Sequence, residues 1–183
     1  MNQNCESLHT QTVINQSCKT ELFPLVDETG KVVGKATRQA CHSGSKLLHP
    51  VVHLHIFNKE GDLFLQKRSM SKDIQPGKWD TAVGGHIDYG EEVEEALRRE
   101  VREELGITEF TPELVCRYVF ESAIEKELVN TFRTTYEGPF KPDPVELDDA
   151  RFWSIAEIKA HLGKQCFTPN FEQEFKRCFL QDE

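Results

Sequence analysis

The 183-residue sequence predicts an α+β fold, and three observations predict it. Short apolar, β-branched runs outnumber helical stretches. The runs come in pairs around turn residues, as antiparallel hairpins do. The helical stretches are few, and each carries recognisable end signals. A chain of this length holds one domain with a substantial core.

The first twenty residues, MNQNCESLHTQTVINQSCKT, are polar, with no basic start and no apolar run of signal-peptide length. They are expected to form an arm, with a single domain over 21–183. LFPLVDETGKVVGKAT reads as two strands around a turn at Glu28 to Lys31, because apolar runs flank a Thr-Gly pair. VVHLHIFNKEGDLFLQKRS repeats the pattern, with its turn at Asn58 to Asp62. ELVCRYVFESAI and ELVNTFRTTYEG are two further strands, separated by a charged connection at Glu125 to Glu127. One helix starts near Glu91 or Glu92 and stops at Gly106, a natural left-handed terminator. In SIAEIKAHL, Ser154 and Glu157 make a capping box, and PNFEQEFKRCFL has Pro169 near its start.

A net charge of −9 and a pI near 5.3 exclude non-specific attraction to nucleic acid or to an anionic membrane surface. An anionic substrate must then meet a local basic site. No stretch is apolar for long enough to span a bilayer, so a cytoplasmic protein is expected. The six cysteines are scattered without C-x-x-C pairs, which points to free thiols.

The stretch GGHIDYGEEVEEALRREVREELGI, Gly84 to Ile107, gathers eight acidic side chains in twenty-four residues. With Leu97 taken as zero on a helical wheel, Val93, Val101 and Leu105 lie at about −40°, +40° and +80° and define a buried face. Glu104 falls at about −20°, Glu100 at about −60° and Glu103 at about −120°. Glu92, Glu94, Glu95 and Arg102 read as a solvated face, but Glu100 and Glu104 sit in or beside the apolar stripe. A buried carboxylate without a partner costs several kcal/mol, so these need cations or a metal. Arg99 can pair with Glu103, yet one arginine cannot neutralise three carboxylates. Oxygen ligands clustered in this way suit Mg²⁺ or Mn²⁺.

Gly85, Glu91, Arg99, Glu100, Val101, Glu103, Glu104, Gly106 and Ile107 fill every fixed position of G-x5-E-x7-R-E-U-x-E-E-x-G-U, where U is a bulky aliphatic. This stretch resembles the Nudix box. The resemblance implies a mixed sheet sandwiched between helices, and metal-dependent hydrolysis of a diphosphate linked to another group, with a metal-activated water attacking phosphorus. It implies metal ligation by Glu100, Glu103, Glu104 and main-chain carbonyl oxygen near Gly85, with Glu91 and Arg99 in support. Glu100, Glu104 and Glu127 are expected to carry catalysis, Glu127 as an extra carboxylate from outside the box.

A second resemblance, to isopentenyl diphosphate isomerases, covers roughly Glu21 to Trp153. It rests on RQACHSGSKLLHPVVHLHIFN and on RSMSKDIQPGKWDTAVGGHID. It implies a further metal site of His42, His49 and His86 with Glu125 and Glu127. It also implies phosphate-binding roles for Arg38, Arg68 and Lys72, with Lys67 facing the other side of its strand. Where that family has a catalytic cysteine before GH, this chain has Gly84. The expected function is therefore diphosphate hydrolysis. Isomerisation and a non-catalytic ligand-binding module are the alternatives. His53 and His55 share a strand face and read as structural or surface residues; Trp79 reads as core. The expected partner is a small diphosphate, with no nucleic acid or membrane involved; a homodimer remains open.

Overall fold

The structure is a computed structural model describing residues 21–71, 75–142 and 147–180. The expected N-terminal arm and Lys72 lie outside those residues. The chain begins with a hairpin of β1 (Leu22–Val26) and β2 (Val32–Thr37), paired antiparallel as a separate two-stranded sheet. Its turn is built by Asp27, whose Oδ1 accepts from the backbone N–H groups of Thr29 and Lys31. A short helix, α1 (Arg38–Cys41), follows; it starts where the Thr37 hydroxyl accepts from Ala40 N–H.

The main sheet has seven strands: β3 (Leu48–Phe57), β4 (Leu63–Arg68), β5 (Trp79–Asp80), β6 (Val83–His86), β7 (Glu113–Glu121), β8 (Lys126–Thr135) and β9 (Leu147–Trp153). It is mixed. β3 runs parallel to β8 along its whole length and antiparallel to β6 over Val51–Leu54. β7 and β8 form the expected hairpin. Its connection falls earlier than the predicted Glu125 to Glu127, at Ser122 to Glu125. Glu127 lies inside β8, because the strand already begins at Lys126 and residue 127 points into the packed side of the sheet. The strand pairs β5, β6 and β9, and the helix α1, were not anticipated: they are too short, or too interrupted by glycine and aspartate, to show a period.

Strand alternation assigns the two faces. Val52, Leu54 and Ile56 of β3 pack with Ala96, Leu97, Val101 and Leu105 of α2 (Val93–Leu105). Burying these four helix side chains contributes about 1.5–3 kcal/mol for each large aliphatic one. Leu63 and Leu65 of β4 go to the opposite face, under α3 (Ile155–His161) and α4 (Pro169–Phe179), where Ile158, Phe167, Phe171 and Phe175 complete a second core. The result is the expected helix–sheet–helix sandwich. The helix ends follow their predicted signals: Gly106 is left-handed at φ 67°, Ser154 and Glu157 form their capping box, and Pro169 opens α4 behind the Thr168 cap. Trp79 packs at the edge of the second core as predicted. The four described free cysteines include Cys116 and Cys178, whose Sγ atoms are 2.6 Å apart between β7 and α4.

Candidate metal centre and active site

Gly85 and α2 meet on one face of the sheet. A Cβ at Gly85 would overlap the Glu100 side chain, so the missing side chain is what lets this carboxylate lie against β6. Arg99 fastens the loop before α2 to the helix. Its Nε and Nη2 donate to both oxygens of Glu91 at 2.8 Å, Nη1 donates to Glu100 Oε1 at 2.7 Å, and Nη2 reaches the His86 carbonyl at 3.0 Å. The predicted Arg99–Glu103 pair is present but longer, at 3.5 Å. These contacts hold the Glu91 carboxyl below its ordinary range and push the guanidinium further up. Burial raises Glu100, and Arg99 only partly offsets it. Glu104 accepts from Gln66 Nε2 at 3.2 Å, and Glu103 projects with a side chain 55% exposed. The wheel reading is reproduced: Glu100 and Glu104 half-buried, Glu103 outward.

A second cluster lies on the other side of β6. Ligand atoms of His42, His49, His86 and Glu127 all fall within 4.8 Å of one another. His42 caps α1, His49 and Glu127 are register partners on β3 and β8, and His86 ends β6. His42 Nε2 is 3.1 Å from His86 Nε2 and 3.4 Å from Glu125 Oε2; His86 Nε2 is 4.0 Å from Glu127 Oε1. Four elements thus bring together four residues of the predicted set, and Glu125, just before β8, borders them through His42.

The chemistry of this donor set fits a metal. His49 Nδ1 donates to the Leu47 carbonyl at 2.9 Å, which fixes its tautomer and leaves a lone pair on Nε2. That Nε2 is buried and has no hydrogen-bond partner. Burial lowers all three histidines, most strongly His86, so they are held neutral and able to donate electron pairs. Burial and the neighbouring Glu125 push Glu127 up to about 7, with the charge on His53 opposing. Phe23 of β1 walls the cluster, stacked on His86 at 4.4 Å between centroids and on His49 at 5.7 Å. Sequence reasoning missed it, since a lone strand phenylalanine carries no signal of what it faces.

The basic candidates are at the rim. Arg38 pairs with Glu21 at 3.3 Å and is half-exposed; Arg68 lies 3.4 Å from Asp80. His53 and His55 share a strand face as predicted, but not at the surface: both are buried against Glu174 of α4. Glu174, fully buried, was also missed. It had a signal, because it falls on the apolar stripe of α4 between Phe171 and Phe175, as Glu100 and Glu104 do on α2.

A family model described as the NUDIX domain matches residues 47–171. The chain is 30% identical over 171 residues to an isopentenyl-diphosphate Delta-isomerase of Streptomyces avermitilis, covering 88% of this chain and 85% of that protein. It is 31% identical over 156 residues to an uncharacterized Nudix hydrolase of Yersinia pestis, covering 85% and 84%. Among solved structures, one from Deinococcus radiodurans superposes with a TM-score of 0.75 at 24% identity, over 87% of this chain and 99% of that one. A MutT protein from Methanosarcina mazei gives 0.60 at 27% identity, over 71% and 91%. With the box filled at every fixed position, its glycine seated on its glutamate, and the family match covering the whole box and most of the chain, the chain belongs to the NUDIX domain family.

Proposed function

We propose that the protein is a divalent-metal-dependent hydrolase of a diphosphate linkage, with Mg²⁺ or Mn²⁺ as cofactor. The observation that carries this reading is the seat of Glu100 on Gly85, with Glu103 and Glu104 on the same helix. Bound divalent ions would offset the charge of a diphosphate, lower the pKa of a water and stabilise the departing oxygen. Glu100, Glu103, Glu104 and the Gly85 carbonyl would hold ions on one side of β6, and His42, His49, His86, Glu125 and Glu127 on the other. Glu91 and Arg99 orient the first set. Glu127, buried and able to keep or release a proton near neutral pH, is suited to serve as base or ligand. Arg38, Arg68 and Lys72 are assigned to the phosphates.

The isomerase reading draws on the His/Glu cluster and on the similarity to the Streptomyces avermitilis enzyme. It is the weaker one, because Gly84 offers no side chain to exchange a proton with substrate carbon. A panel of nucleoside diphosphates and triphosphates, sugar nucleotides, dinucleotides and prenyl diphosphates, with Mg²⁺ or Mn²⁺, separates the two. Released phosphates carrying solvent oxygen at phosphorus support hydrolysis. Allylic proton signals growing from isopentenyl diphosphate without phosphate release support isomerisation. Gly84→Cys alone is expected not to create efficient isomerase activity.

A further inference from the structure

β3 sends His49, Val51, His53 and His55 to the face of the sheet away from α2, and β6 sends His86 and Gly84 the same way, opposite Val51 and His53. β8 adds Glu127 opposite His49 and Thr131 opposite His53. His49, His86 and Glu127 belong to the metal cluster, so Gly84 and His53 are the next positions along the same surface. Gly84 is exposed, while His53 is only 8% exposed and lies directly beneath it. A Cβ at Gly84 would sit 3.4 Å from His53 Cδ2 and 3.5 Å from Nε2. The absent side chain is therefore a window onto one edge of the imidazole.

The other edge is fixed. His53 Nδ1 lies 2.7 Å from Glu174 Oε2, and the other oxygen of this fully buried carboxylate accepts from the Thr131 hydroxyl. Burial opposes the charge on His53, but the Glu174 carboxylate outweighs it and raises the imidazole to about 9. His53 is thus a cation at neutral pH, with N–H groups on both nitrogens. Among the described residues, Nε2 has no hydrogen-bond acceptor. A charged donor aimed at a surface without an acceptor gains a strong hydrogen bond when an anion arrives. His55 cannot do this: it is fully buried behind the same Glu174, 3.5 Å away.

We propose that His53 is a substrate-binding residue, donating from Nε2 through the gap over Gly84 to a phosphate oxygen of the diphosphate held beside the metal cluster, with Glu174 and Thr131 as its positioning residues. This rests on the reading that the site takes a diphosphate, and deepens it by naming the group that holds the phosphate next to the metal ligands.

The test is calorimetric binding of methylenediphosphonate, a diphosphate mimic that is not hydrolysed, with Mg²⁺ and the full chain. Native protein is compared with Gly84→Ala, His53→Gln and the double variant. Gly84→Ala leaves the His53–Glu174 pair intact and covers Nε2 with a methyl group at ordinary contact distance. Each single change is expected to weaken binding about ten- to a hundredfold, and the double variant to bind no worse than His53→Gln. Three results overturn the proposal: no binding by native protein, a His53→Gln affinity within about twofold of native, or losses that multiply in the double variant. If His53→Gln does not fold, Gly84→Ala decides together with ¹⁵N-histidine NMR of native protein. A weakened Gly84→Ala and a His53 Nε2 resonance that moves on ligand addition support it; unchanged affinity or a static resonance overturns it. Native protein that binds the mimic through His53 but releases phosphate from no compound in the panel refutes hydrolysis and leaves this inference standing.

Discussion

Gly85 and Glu100 show how one residue can set another's chemistry: the backbone at 85 leaves the space that the carboxylate fills. Gly85→Ala is expected to displace Glu100 and lower kcat on any accepted diphosphate by about a hundredfold or more, with circular dichroism unchanged. Glu104→Gln removes a charge at constant volume and keeps an acceptor for Gln66 Nε2. It should cost a similar or larger factor in kcat while leaving the fold intact. A folded Glu104→Gln of native activity would place the site elsewhere. Glu127→Gln should slow hydrolysis more than Glu125→Gln, because Glu127 is the more deeply buried and faces the histidines. Burial and the neighbouring Glu125 raise Glu127 to about 7, so it holds its proton below that pH. Metal binding near pH 6 is therefore expected to release a proton from Glu127, seen as a buffer-dependent binding enthalpy that Glu127→Gln reduces.

At the scale of elements, α2 is held at both ends and along its middle. Glu92 and Glu95 form a capping box, Arg99 ties it to Glu91 and the His86 carbonyl, and Gly106 ends it in the left-handed region. A Cβ at Gly106 would also press on Lys141 Cβ at 3.0 Å. Gly106→Ala should cost about 1 kcal/mol, lowering Tm by roughly 3 °C, which a thermal melt reads directly. α2 was legible in the sequence because its period, its cap and its terminating glycine lie within one short stretch. α3 and α4 were legible for the same reason. β9 and β6 were not, because Leu147–Trp153 and Val83–His86 become strands by pairing with β4 and β3, not through a pattern of their own.

Across the whole molecule, the buried His53–Glu174 pair links the sheet to α4 and makes stability depend on pH. His53 is raised to about 9 against an ordinary value near 6.5, so its contribution is full below 6.5 and is lost as pH rises through 9. Glu174 is held far below its ordinary 4.5, although burial opposes this, chiefly by the charge and hydrogen bond of His53; its contribution is present above 4.5 and lost as pH falls. Both are in force between about pH 4.5 and 6.5. The stability difference between native protein and His53→Gln, measured by urea unfolding of metal-free samples, should therefore shrink from pH 6.5 to 9. A difference that stays constant over that range would mean the pair is not charged.

The sequence by itself determined the box, the three glutamates of α2, the alternation that sends His53 and His55 to one side, and the helix ends. Each depends on neighbours within a few turns or strand steps, where period and capping chemistry act directly. Family resemblance, not spacing, supplied His42, His49, His86, Glu125 and Glu127. Only the tertiary structure could bring these together, because their convergence depends on the parallel register of β3 with β8, the antiparallel register of β3 with β6, and α1 folding back over them. The same long-range packing decided that Phe23 walls the histidines and that Glu174 meets His53 across 121 residues of chain. Burial then set the charge states: it holds the cluster histidines neutral, keeps a proton on Glu127, and leaves His53 charged only because a buried carboxylate stands against it.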